Sequence, residues 1–175
     1  DSERPEHLFA TQYRRLQEEC EHCLDWQLLL PLDAGDEYYI KCMRIPATDE
    51  QRDFDELVLG LTKLLIDSLN EKKLNKLIPK EDLPNIKGSI SRLEAALKTN
   101  GVEDAGPQIA FLRKLQNLRS SSSAHRKGTN YRKIAADFGV DDESLSTVFA
   151  GIMDQALSFL GFLTNTVRDG LLKKC

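Results

Sequence analysis

Leu115-Gln-Asn-Leu-Arg119-Ser-Ser-Ser-Ser-Ala-His125-Arg-Lys-Gly128 opens as an amphipathic helix and runs into four consecutive serines. It then presents a histidine, two cations and a glycine. Serine competes for backbone hydrogen bonds and is a mediocre helix former, so the stretch predicts a helix, a polar break and a new start. No acidic residue lies between Ala105 and Ala136, whereas Arg113, Lys114, Arg119, Arg126, Lys127, Arg132 and Lys133 all do. The chain carries −4 overall, so a window of +7 leaves −11 for everything else. Such segregation of charge points to a site for a polyanion.

Working outward, hydrophobic periodicity predicts helices on both sides of this break. Pro107 opens the helix before it, with Ile109, Phe111, Leu112, Leu115 and Leu118 on one face. After it, Tyr131 to Phe138 reads as a short helix closed by Gly139. Asp141-Asp142-Glu143 then places negative charge at the N-terminus of a long last helix, which suits the helix dipole. That helix carries Leu145, Val148, Phe149, Ile152, Met153, Ala156, Leu157, Phe159, Leu160, Phe162, Leu163 and Val167, ordinary core candidates, and frays near Gly170.

Towards the N-terminus, residues 5–30 read as one helix stopped by Pro31, and Tyr38 to Ile45 as a short strand or extended segment closed by Pro46. Thr48 with Gln51 reads as a capping box opening a helix that runs to about Ile78 and is ended by Pro79. A further helix runs from about Leu83 to Thr99, with Asn100-Gly101 as its C-cap. The sum is all-α: long helices, short punctuated connections and an apolar stripe on each. A parallel α/β sheet is excluded. The expected organisation is residues 1–46 as an N-terminal helix and short strand or hairpin, packing on a bundle formed by residues 47–175 in one globular unit.

At 175 residues, 41% hydrophobic and 30% charged, the chain suits a single globular domain rather than a disordered one. A pI near 5.5 speaks against nucleic-acid binding over the whole surface. The four cysteines (Cys20, Cys23, Cys42, Cys175) are few and unevenly placed. With no signal peptide and no apolar run of membrane-spanning length, the expectation is a cytoplasmic protein with free thiols and no membrane partner. The start at Asp-Ser leaves open an origin as a module of a longer chain, with other domains or a cognate regulator as partners.

Arg119 and His125 suit phosphodiester chemistry. Histidine titrates near neutrality and moves a proton at a ribose hydroxyl. A guanidinium grips phosphate in two-pronged fashion and stabilises transition-state charge. Ser120 adds one hydroxyl donor. On an unbroken helix six residues turn the chain by roughly 600°, leaving the two side chains about 120° apart. The serine break or a symmetric second copy is therefore needed to bring them together. Around them Arg113, Lys114, Arg126, Lys127, Arg132 and Lys133 would hold neighbouring phosphates, and Tyr131 would stack on a base. The plainer alternative has Arg119 ending its helix in a salt bridge and His125 exposed in a loop.

Arg119-Ser-Ser-Ser-Ser-Ala-His125, at the end of one bundle helix and before the last long one, resembles the Arg-x(4–6)-His motif of HEPN domains. The surrounding Leu-Arg-Lys-Leu-Gln-Asn-Leu-Arg, Ala-His-Arg-Lys-Gly and Asn-Tyr are similar to members from bacterial defence and toxin systems. The likeness is most specific over about residues 107–135 and looser over roughly 48–170. It implies a HEPN-like four- to five-helix bundle and metal-independent endoribonuclease activity without cofactor. It also implies a homodimer whose two motifs form one composite site. Arg119 and His125 take the catalytic positions, and Ser120 stands where the family often has asparagine. HEPN-like domains without activity exist, so a silent module binding RNA or protein stays open.

Two other clusters have simpler readings. Cys20-Glu-His22-Cys23 looks like half a zinc site, but it lacks a second pair and shares a helix face with Leu16 and Leu24, which favours buried thiols. Glu18, Glu19 and Glu21 read as a solvated face. Asp53, Asp55 and Glu56 read as first-turn acids, with a place along the cationic cleft as the alternative.

Overall fold

In a computed structural model the described residues are 4–120, 133, 136–138 and 144–172. Among them every regular element is helical, so the chain is all-α. The elements are α1 (Pro5–Cys23), α2 (Glu37–Cys42), α3 (Gln51–Thr62), α4 (Glu71–Asn75), α5 (Ser89–Thr99), α6 (Gly106–Ser120) and α7 (Leu145–Arg168). Lys63–Asp67 continues α3 as a π-turn, and Leu83–Asn85 forms a 3₁₀ turn before α5.

The apolar α7 is the spine of the core. Val148, Phe149, Ile152, Met153, Ala156, Phe159, Leu160, Leu163 and Val167 are buried, whereas Phe162 is only half-buried. Each fully buried large side chain contributes roughly 1.5–3 kcal/mol relative to an exposed one. α1 packs along α7, and α3 and α6 complete the surround. Phe149 meets Phe54 of α3 edge-on at 6.1 Å, and Phe159 meets Phe111 of α6 at 6.4 Å. By length and composition α7 can cross a membrane, which corrects the expectation that no apolar run is long enough. Half of its most apolar window is buried inside the bundle, and that burial accounts for its composition.

α1 stops at Cys23, seven residues before the expected end. Three consecutive leucines on a helix span about 200°, wider than the stripe of Phe9, Tyr13, Leu16 and Cys20 that α1 buries. Asp25 instead takes a left-handed conformation (φ 64°) and the chain extends, which buries both Leu28 and Leu29. This extended piece finds its partner at residues 68–70. Leu30 N–H donates to Ser68 O at 2.7 Å, Asn70 N–H to Leu28 O at 2.9 Å, and Leu29 and Leu69 form an isolated antiparallel bridge.

That pairing explains a second correction. The helix begun at Gln51 does not run to Ile78 but breaks at Ser68, because residues 68–70 pair across rather than along a helix. Asn70 then accepts from Lys73 N–H, starting α4. The capping box does not form either: Glu50 is the N-cap, and the Gln51 amide donates to Asp55 instead.

A third correction concerns Tyr38 to Ile45, whose first half is the helix α2. Strand propensity is a weak preference, and a lone strand leaves its backbone groups unpaired, whereas one helical turn satisfies them locally. Only from Met43 does the chain extend. Tyr39 lies so close to Gly60 that a Cβ there would come within 2.7 Å of the ring.

α5 begins at Ser89, later than Leu83, because the 3₁₀ turn and Gly88 intervene. Its end matches expectation. Gly101 (φ 69°) follows Asn100, and the N–H groups of Gly101 and Val102 return to Lys98 O and Leu97 O, a Schellman motif. The short helix expected over Tyr131–Phe138 and the Asp141-Asp142-Glu143 turn lie largely outside the described residues; Phe138 is buried against Phe111.

Candidate functional site

α6 delivers Arg119 to the last turn of a bundle helix because Leu112, Leu115 and Leu118 bury one face of it. A cation at that end suits the helix dipole. Arg119 reaches across to the π-turn, and its Nη1 donates to Asp67 Oδ2 at 2.7 Å. Both side chains are partly exposed, 29% for Arg119 and 44% for Asp67, so the pair contributes at most about 1 kcal/mol of stability. Its consequence is orientation: a carboxylate fixes one nitrogen of a planar fork that carries five N–H donors.

Ser120 follows on the same helix end. Its hydroxyl donates back to Gln116 O at 3.0 Å, so this donor is engaged within α6. His125, Arg126, Lys127, Tyr131 and Arg132 lie outside the described residues. Arg113 and Lys114 are both exposed on α6. Arg113 Nη2 bonds Glu94 of α5 at 3.2 Å, whereas Lys114 points to solvent, as does Lys133. The cationic window is thus partly neutralised by acids from elsewhere in the chain.

Asp67 and Glu94 escaped the reading of sequence. They stand 52 and 19 residues from their arginines, and no local spacing links them. The salt bridge of Arg119 was the plainer alternative in sequence, but its partner was not named there.

Asp67 also borders a groove of about 330 Å³ lined by Leu30, Pro31, Leu32, Asp33, Asp36, Lys63 and Ser68. Lys63 sits 4.0 Å from Asp36 and 4.9 Å from the centre of the Tyr39 ring. Tyr39 and then the neighbouring carboxylates raise its pKa above the ordinary lysine value. With three carboxylates against one ammonium, this groove disfavours a polyanion.

The thiols behave as core. Cys20 is fully buried, and burial pushes its pKa up to about 11. Cys23 Sγ donates weakly to Glu19 at 3.7 Å. Glu19 is no solvated acid, since it also accepts from Arg168 at 3.1 Å and ties α1 to the end of α7. Asp53 pairs with Arg44 at 3.6 Å and Glu56 with Arg52 at 3.2 Å. No cluster of three or more metal-ligating side chains occurs among the described residues.

Compared with known protein families, curated proteins and solved structures, the chain shows no match.

Proposed function

We propose that the chain is a HEPN-type, metal-independent endoribonuclease acting in the cytoplasm as a toxin or anti-phage effector. The observation that carries this reading is the placement of Arg119. It lies on a bundle helix, is held by Asp67, and is followed in sequence by the serines and His125. Arg119 would stabilise charge on the scissile phosphate while His125 moves a proton between the 2′-hydroxyl and the leaving oxygen. Two copies, each contributing one motif, would make the composite site. Lys114, Arg126, Lys127, Arg132 and Lys133 would hold flanking phosphates and Tyr131 a base.

Ser120 would assist only after releasing its bond to Gln116 O. The engagement of both Arg119 and Ser120 favours a second reading, a catalytically silent module that binds RNA or a protein partner.

Incubation with mixed RNAs in EDTA, with product ends assayed for cyclic phosphate, separates the two. The nuclease reading expects cleavage that Arg119→Ala and His125→Ala each reduce by at least a hundredfold, given that acid–base catalysis alone contributes roughly 10²–10⁴. Wild-type rates in either variant would overturn it.

A further inference from the structure

We infer that a second cationic surface, formed by Lys72 and Lys73 of α4, by Lys76 at its C-cap and by Lys80 and Lys87 after it, is a phosphate-contact track for single-stranded RNA leading to Arg119. This rests on the RNA-cleaving reading above and adds to it a path for the strand.

From residue 72 to residue 87 five lysines stand against two acids, Glu81 and Asp82, in a chain whose net charge is −4. None of the five lysines has an ion pair among the described residues. Six of the arginines differ: Arg44, Arg52, Arg92, Arg113, Arg119 and Arg168 each pair with a carboxylate. Glu71, the acid beside the track, faces Arg92 of α5 at 3.6 Å, and Arg92 Nε also donates to Asn75 at 3.0 Å. The 71/75 flank of α4 is therefore occupied by α5.

Leu74 is fully buried, and on a helix residues 72 and 76 each lie about 160° from it, so Lys72 and Lys76 project outward. The backbone beneath the patch is ordered by packing: Leu77 and Ile78 are buried, and turns close Pro79 O to Asp82 N–H and Leu83 O to Ile86 N–H. The lysines thus stand on a firm backbone, which lowers the cost of ordering a strand along it.

The track is close to the site by connectivity. Asp67 holds Arg119, and α4 begins four residues after it. Three extended steps and six helical rises place the Lys76 backbone at most about 20 Å from Asp67. That is within the span of a single-strand site, roughly 4–16 nucleotides long. The groove that Asp67 borders, with Asp33 and Asp36, repels phosphate, so a strand reaching Arg119 is favoured to leave by another way.

The test compares two variants carrying the same loss of charge, both in a His125→Ala background so that RNA stays intact. One carries Lys72→Gln, Lys76→Gln and Lys80→Gln. The other carries Arg14→Gln, Arg15→Gln and Lys41→Gln, exposed cations on α1 and α2. Affinity for an unstructured single-stranded RNA is followed over a salt series, with circular dichroism confirming that both variants fold. Three lost phosphate contacts reduce the slope of log K against log salt by about 2 in the lysine variant and leave it unchanged in the other. Equal slopes in the two variants, with the His125-intact protein still cleaving RNA, overturn the track and leave the nuclease reading standing. Absence of both binding and cleavage overturns the two together.

Discussion

Arg119 of α6 and Asp67 of the π-turn, 52 residues apart in sequence, meet at 2.7 Å. The contact joins the end of one bundle helix to the distorted end of another. π-turns are rare and recur at functional sites. Here the turn lies immediately before the break that sends residues 68–70 to pair with Leu28 and Leu30.

Removing the carboxylate separates orientation from stability. Asp67→Asn is expected to shift unfolding by no more than about 1 kcal/mol in a denaturant titration, because the pair is half in solvent. Under the nuclease reading it lowers kcat by roughly ten- to a hundredfold, since a misplaced group of about 1 Å costs that much. An unchanged kcat would remove Asp67 from any positioning role.

The Phe54–Phe149 contact tests the spine. Phe149 is fully buried, so Phe149→Ala is expected to cost about 3–5 kcal/mol in chemical denaturation. A loss below 1 kcal/mol would mean that α7 does not centre the core.

Gly60 tests the approach of α2. A methyl there would stand 2.7 Å from the Tyr39 ring, so Gly60→Ala is expected to destabilise by about 1–3 kcal/mol. The double variant Gly60→Ala, Tyr39→Ala should recover part of the overpacking cost. No recovery would point to a cause other than this contact.

Asp49 provides an acid-sensitive tie. Its carboxylate accepts from Ser146 N–H at 3.1 Å and the Ser144 hydroxyl at 3.0 Å at the start of α7. The backbone N–H of Ser146 first, then the Ser144 hydroxyl, hold its pKa below the ordinary aspartate value. A carboxyl with a depressed folded pKa stabilises above its unfolded value and loses that contribution as pH falls through the folded one. The difference in Tm between wild type and Asp49→Ala should therefore be full at neutral pH and shrink below about pH 4. A gap independent of pH would refute the tie.

Thiol labelling reads burial directly. Cys42 is partly exposed and should react with iodoacetamide in the folded protein, whereas Cys20 should react only on unfolding. Rapid native labelling of Cys20 would contradict the packing of α1 on α7.

The α-helical class, the span of α6, the apolar face of α7 and the Asn100-Gly101 stop were all legible in sequence. Each depends on a period of 3.6 residues or on the conformational freedom of one glycine, and both are local properties. What local pattern misjudged was where helices end. Leu28-Leu29-Leu30 resembles a helix end, and Ser68 lies within an apparently continuous stripe. Each leaves the helix because the other is there to receive its hydrogen bonds. Tyr38 to Cys42 resembles a strand and forms a helical turn because no second strand is beside it among the described residues.

By itself the sequence determined an all-α chain with an acid-free window of seven cations around one polar break. Only the tertiary structure decided which of those cations meet acids: Glu94 comes to Arg113 and Asp67 to Arg119. Periodicity is written in neighbouring residues, whereas charge pairing depends on which helices lie side by side, and packing of the apolar faces makes that choice.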